Sequence, residues 1–426
     1  MTPHIVITLA VIVVAMVLFA WNAVPPVVVG VCATLVLYFT GVLTVNETLS
    51  GFGDPVVVML VGLFSIAIAL DRAGVAAWAG QVLLRWTARH PRRRLIAIML
   101  VAALFSGLIG MNGAVAAMLP VVVVLAARTR TAPSKLMIPL AFACLSGAQL
   151  SMLGSPVNVI ASTKIDEAGL SHIPFFAWSL IGIPQLAGVV ALVVLLGPRL
   201  LPDRPAPELP VDTQNIVLLR PEESPQRAVL DRNAYVALGI LALLVALLAF
   251  GVVSPAIAAI LCASLMVLFR VVTVPQLGRR MDWPTVILVA AMIPPAIAMT
   301  KTGAAKLLGD LVVGGLGEFG PIAVLAGLFL VTMVISQFIS NTSSALVMLP
   351  IGLATAVDMH VSPVPMMLGV AMGAAASYLT PFANAVSLMV YGPGGYKFQD
   401  FWRLGLVVTG WSLVVTLAVV PLVWRF

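Results

Sequence analysis

The chain has 426 residues, 61% of them hydrophobic and only 9% charged, with a mean hydropathy of +1.13; this excludes a water-soluble globular domain and points to a polytopic membrane protein. A net charge of +7 would suit nucleic acid, but the basic residues sit in loops between apolar runs, so the expected partner is the lipid bilayer and no nucleic acid. Cys32, Cys144 and Cys262 lie inside apolar segments without paired or metal-ligand spacing, as packing residues do.

In chain order, apolar segments of spanning length are predicted near 4–20, 25–43, 54–70, 136–163, 174–197, 234–250, 253–269, 283–300, 362–390 and 404–424. The first has no Lys or Arg ahead of its apolar core and is expected to be a span rather than a cleaved leader. The stretch 71–94 mixes apolar residues with arginines at roughly helical spacing, which predicts a segment lying along the inner surface. Two longer blocks, 95–127 and 319–357, carry no charge. As single helices they would reach roughly 50 to 60 Å, against about 30 Å of hydrocarbon. Their turns, IGMNGA and ISNTSS, are uncharged too, so each block is predicted to be a re-entrant hairpin whose tip stops inside the membrane. On that count one side collects all the basic residues except Lys164, Lys301, Lys306 and Arg425, which places both termini outside the cell.

The halves repeat. Pro55 and Gly74 match Pro284 and Gly303 at a spacing of 229, Asn112 matches Asn341 at the same spacing, and MLP at 118–120 matches MLP at 348–350. GSPVN at 154–158 matches TPFAN at 380–384. The predicted fold class is an all-α polytopic membrane protein of two inverted repeats, each with five transmembrane spans plus one re-entrant hairpin and with broken helices at mid-membrane. The repeats are 1–198 (hairpin 95–127) and 233–426 (hairpin 319–357). The polar, proline-rich 199–232 between them reads as a cytoplasmic linker.

Two tips and two breaks supply the polar groups. The tips are Met111-Asn112-Gly113 and Ser340-Asn341-Thr342; Pro156 and Pro381 break the spans at Gly154-Ser155-Pro156-Val157-Asn158 and Thr380-Pro381-Phe382-Ala383-Asn384. Breaking helices at depth exposes carbonyls suited to Na+ and amides suited to an anion. Asn112, Gly113, Asn158, Ser340, Asn341, Thr342, Thr380, Pro381 and Asn384 are the candidate substrate residues. Single Ser or Asn residues in membrane helices often serve packing alone; recurrence in both halves favours a site. Gly107, Ala114, Ala116, Gly369 and Gly373 to Ala376 are assigned to close packing. No acid or histidine lies at a span centre, which favours Na+ over proton coupling. Without an HExxH motif, a buried acid/base pair or a cysteine-histidine combination, an enzyme is disfavoured, and no organic cofactor is expected.

At these residues the sequence resembles the divalent-anion/sodium symporter family of the ion-transporter superfamily, the citrate/sulfate-type permeases. ISNTSSALVMLP is similar to that family's Ser-Asn-Thr hairpin signature, and GSPVN and TPFAN are similar to its Gly-Thr-Pro-x-Asn breaks. The resemblance covers nearly the whole chain. It implies a homodimer with an elevator movement, a small-anion substrate between the tips and two flanking Na+ sites. By the same resemblance Ser336, Ser340, Asn341 and Thr380 belong to one Na+ site, and Asn112 with Gly154 and Ser155 to the other. The first tip departs from the family, with Met-Asn-Gly where Ser-Asn-Thr or Asn-Asn-Thr is usual. The expected function is Na+-coupled import of a di- or tricarboxylate or sulfate across the inner membrane. The alternatives are an arsenite exporter or Na+/H+ antiporter of the superfamily, and a non-transporting membrane scaffold or receptor.

Overall fold

The structure, a computed structural model, describes residues 3–21, 24–75, 78, 91–129, 131–170, 173–203, 231–249, 253–381 and 383–426. Most of the surface stretch 71–94, the linker from 204 to 230 and Phe382 in the second break lie outside the described residues.

Within those limits the chain is helical, with no strand. The helices are α1 (Pro3–Trp21), α2 (Pro26–Phe39), the short α3 (Val45–Leu49), α4 (Pro55–Arg72), α5 (Pro91–Ile109), α6 (Met111–Thr129), α7 (Met137–Gly147), α8 (Pro156–Glu167), α9 (Trp178–Leu200), α10 (Arg232–Ala249), α11 (Pro255–Leu268), α12 (Val274–Arg280), α13 (Trp283–Thr302), α14 (Ala304–Leu316), α15 (Pro321–Ser336), α16 (Asn341–Asp358), α17 (Pro363–Ala375), α18 (Ala385–Tyr391) and α19 (Phe398–Val423). Proline opens many of them, where its fixed φ suits a first turn whose amide would have no helical partner. Among the described residues, Val45–Arg72, Trp178–Leu200, Trp283–Thr302 and Gln399–Val423 are long and apolar enough to cross a membrane, and shorter apolar helices accompany them. The chain is a multi-pass, all-α membrane protein.

Each predicted span has a helix beneath it, and the predicted breaks are breaks: 136–163 divides into α7 and α8, and 362–390 into α17 and α18. The long blocks become paired helices, α5 with α6 and α15 with α16. One helix was not anticipated. It is α14, which carries Lys306 and Asp310 on an otherwise apolar helix. It stands 229 residues after the stretch that begins at Val75.

Local hydrogen bonding recurs at the same offset. The amides of Val42 and Leu43 both donate to Leu37 O, at 3.0 and 3.1 Å; those of Val271 and Val272 both donate to Met266 O, at 3.0 and 3.4 Å. Thr44 N donates to Glu47 Oε2 at 2.7 Å and Thr273 N to Gln276 Oε1 at 3.0 Å, closing the same three-residue cap. Asp54 and Asp282, one place short of that offset, cap α4 and α13.

The helices pack in two groups, each drawing on both halves of the chain. In one, α4 lies against α11 and α13 against α2; in the other, α5 and α6 surround α7, α15 and α16 surround α17, and α9 lies against α19. Lipid offers apolar side chains no water to escape, so close approach of backbones carries helix association here. A Cβ on Gly62 of α4 would stand 2.6 Å from the Ala259 carbonyl carbon of α11, and one on Gly373 of α17 would stand 2.5 Å from Phe329 O of α15.

Candidate substrate and ion site

Helices α6 and α16 start at the two tips, and their first turns face one another across a cavity. Gly110 and Ser340 are the caps: Ala114 N donates to Gly110 O at 3.0 Å, and Ser344 N to Ser340 O at 2.9 Å. Ser340 Oγ also accepts from Ser343 N at 3.1 Å and bonds Ser343 Oγ at 2.8 Å. Gly110 has no side chain to do the same. The amides of Met111, Asn112 and Gly113 therefore have no partner in their own helix, as first-turn amides do not.

The breaks are built alike. At the first, Ser155 is extended (φ −145°, ψ 139°) ahead of Pro156, and its Oγ accepts from Val157 N at 3.2 Å. Asn158 Nδ2 reaches back seven residues to Ser151 O at 2.9 Å, and to Ala148 O at 2.9 Å. At the second, Asn384 caps α18 through Ser387 N at 2.8 Å, and its Nδ2 reaches back seven residues to Ser377 O at 2.9 Å and Ser377 Oγ at 3.0 Å. In both breaks an asparagine amide satisfies carbonyls that the interrupted helix leaves unpaired.

Each tip is stitched to the break in its own half. On the first side Ser106 Oγ donates to Cys144 O at 2.5 Å, and Ser151 Oγ donates to Gly107 O. On the second side Ser336 Oγ donates to Met333 O at 2.8 Å and reaches Gly373 O at 3.5 Å. Gln337 does the rest. Its Nε2 donates to Met333 O and Ala376 O, at 3.0 and 3.1 Å; its Oε1 accepts from Leu379 N at 3.1 Å, and its carbonyl accepts from Thr380 Oγ1 at 3.1 Å. Gln337 was missed in the sequence, where its signal was a lone amide beside Ser336 in an uncharged run.

One cavity of about 650 Å³ gathers these parts. Its wall includes Asn112, Gly113, Gly154, Ser155, Ser340, Asn341, Thr342 and Asn384, together with apolar residues of α4. Asn158, Ser336, Thr380 and Pro381 are not in that wall; the first three spend their side chains on the backbone bonds just described. The wall also carries Asp71, Arg280, Asp282 and Thr285. Arg280 Nη1 lies 3.4 Å from Asp71 Oδ2, so the cation at this rim is already paired. Asn341 is 6% exposed, and its Oδ1 is buried without a hydrogen-bond partner. Such an orphan acceptor costs stability unless a donor or cation meets it.

A second cavity of about 400 Å³ lies between α8, α13, α16 and α17, with Lys164 and Lys301 at its edge. Lys164 pairs with Glu167 at 2.6 Å and with Asp54 at 3.8 Å, and Lys301 pairs with Glu47 at 2.8 Å. Lys301 Nζ and the Thr44 amide both donate to the Glu47 carboxylate.

Paired helix tips and broken helices around one shared cavity define a secondary transporter. The chain belongs to the citrate transporter family, whose profile matches residues 16–364 and 319–426; it is a transporter of this anion-transporter superfamily and not an enzyme. It is 25% identical to the uncharacterized transporter YfbS of Escherichia coli K12, in an alignment spanning all of both chains. The uncharacterized transporter MJ0672 of Methanocaldococcus jannaschii is 24% identical over 97% of this chain and 93% of its own. The L-tartrate/succinate antiporter of E. coli is 30% identical over 38% of this chain and 34% of its own. The fold is similar to that of the Alcanivorax borkumensis YdaH transporter, with a TM-score of 0.60 at 14% identity, covering 96% of this chain and 98% of that one.

Proposed function

We propose that this chain imports a small anion, a di- or tricarboxylate or sulfate, across the plasma membrane, driven by Na+ and moving as an elevator within a homodimer. The observation that carries the reading is the single cavity holding both tips and both breaks, with the orphan Asn341 Oδ1 in its wall. An uncharged oxygen suits Na+, which needs dipoles and no titrating group. The uncapped amides at the start of α6 and the hydroxyl of Thr342 suit the anion's oxygens. Na+ beside the anion would neutralise it where no unpaired lysine or arginine lines the cavity.

The topology that goes with this reading is two inverted repeats, 1–198 and 233–426, joined by the linker 199–232, with α5/α6 and α15/α16 as re-entrant hairpins. Support comes from the turns: residues between the paired helices carry no charge, and both turns end in the wall of the cavity, where irregular backbone can be satisfied. With the arginine-rich loops inside, both termini lie outside, and the rim of Asp71, Arg280 and Asp282 opens the cavity to the cytoplasm.

Import is tested in proteoliposomes with radiolabelled succinate, citrate and sulfate, each under an inward Na+ gradient or with choline. Uptake that ignores Na+ and is unaltered in Asn341→Ala would falsify the proposal. The name of the L-tartrate/succinate antiporter supports a second reading, exchange of two anions. Internal succinate that accelerates uptake without any Na+ gradient would favour it.

A further inference from the structure

We infer that the two tips divide the work: each chain holds one cation, at the second tip around Asn341, and the first tip holds none. This rests on the Na+-coupled reading above and departs from the pair of Na+ sites that the family resemblance implies.

The two tips share one register. Matching Asn112 with Asn341, 229 residues apart, is off by one. Both helices begin 230 apart: Pro91 and Pro321 open the first arms, Gly110 and Ser340 cap the second, and the first i to i+4 bonds are Ala114 to Gly110 and Ser344 to Ser340. Met111 then takes the place of Asn341, Asn112 that of Thr342 and Gly113 that of Ser343. The second tip carries side-chain oxygens at all four of these places, and the first carries one, on Asn112.

The position of Asn341 is the decisive one. Its buried, partnerless Oδ1 is the acceptor that a cation would satisfy, and its counterpart is a thioether packed against the apolar core. A thioether is a soft ligand with little affinity for Na+. The carbonyls of Leu153 and Gly154 face Gly110, each 3.9 Å from where its Cβ would stand. Asn158 Oδ1 and Gln149 Oε1 in the first break are also buried without partners, but neither residue lines the cavity; the two carbonyls that do face the first tip fall short of the several oxygens a hard cation takes. The difference extends to the backbone: Gly110 has φ +84° where Ser340 has φ −60°, so a serine cap at 110 would be strained. The first tip is left with amides and one carboxamide, a surface for the anion.

The test counts bound 22Na+ on the purified full-length chain in detergent, titrated to saturation by scintillation proximity. One Na+ per chain is expected, falling at least tenfold in affinity in Asn341→Ala and staying at one in Met111→Leu. Two Na+ per chain, or loss of a bound Na+ in Met111→Leu, overturns the division between the tips. No saturable Na+ binding to the unaltered chain overturns the Na+-coupled reading itself. Because the count is made on the unaltered chain, the outcome does not depend on either variant folding.

Discussion

The second tip is rich in side chains and tightly tied: Ser340 caps α16, Gln337 and Ser336 fasten its hairpin to the second break, and Asn341 is left with a buried free oxygen. The first tip is bare. Gly110 turns with a positive φ, Met111 packs among apolar residues, and its hairpin is held to the first break by two hydroxyls, those of Ser106 and Ser151. The two tips thus differ in kind: the second presents side-chain oxygens and a buried unpartnered acceptor, and the first presents mostly backbone amides, the difference on which the proposed division between cation and anion rests.

The largest expected effect falls on Asn341. Its replacement by alanine should lower Na+-dependent uptake through a roughly 10- to 100-fold weaker Na+ affinity, the range typical when a metal site loses a supporting group. Half-saturation measured against external Na+ checks this; an unchanged value would erase the contrast between tips. Next comes the stitching. Gln337→Leu removes two donors to backbone carbonyls and the acceptor for Leu379 N, at a cost of about 1 to 3 kcal/mol. Ser151→Ala removes one hydrogen bond and should cost about 0.5 to 1.5 kcal/mol. Unfolding in detergent followed by tryptophan fluorescence compares them, and equal losses would mean that the halves are tied equally.

A smaller effect separates Asn112→Ala from Asn112→Thr. If Asn112 stands where Thr342 stands, threonine should retain anion affinity within about threefold, while alanine should lose about 1 kcal/mol of binding. Competition against labelled substrate reads the difference. The smallest effect lies away from the tips, at the Glu47–Lys301 pair. The pair is half exposed, so Lys301→Gln should cost less than about 1 kcal/mol. Unfolding in detergent followed by tryptophan fluorescence checks that bound.

Much of the plan was legible because it rests on residues with one local meaning. Pro156 and Pro381 cannot continue a helix, charges cannot sit in hydrocarbon, and a 39-residue uncharged block is too long for one crossing. The equal seven-residue spacing of Ser151 to Asn158 and Ser377 to Asn384 was also available as a signal for the braces across the breaks. The tip register was misplaced by one because the extra residue falls between Gly303 and Pro321. MLP at 118 and 348 already carried the offset of 230, but it stands beyond the tip and does not date the insertion. The helix α14 escaped because its two charges interrupt an apolar pattern that composition alone reads as a loop.

By itself the sequence determined that this is a membrane protein of many helices and where those helices break, since both follow from what single residues and short runs tolerate in lipid. Only the tertiary structure decided which polar groups share one cavity, which are spent bracing the breaks, and which oxygen at the second tip stays unpartnered. Those outcomes depend on contacts between residues hundreds of positions apart, and the pairing of a hydrogen bond is a property of the folded neighbourhood rather than of the residue that makes it.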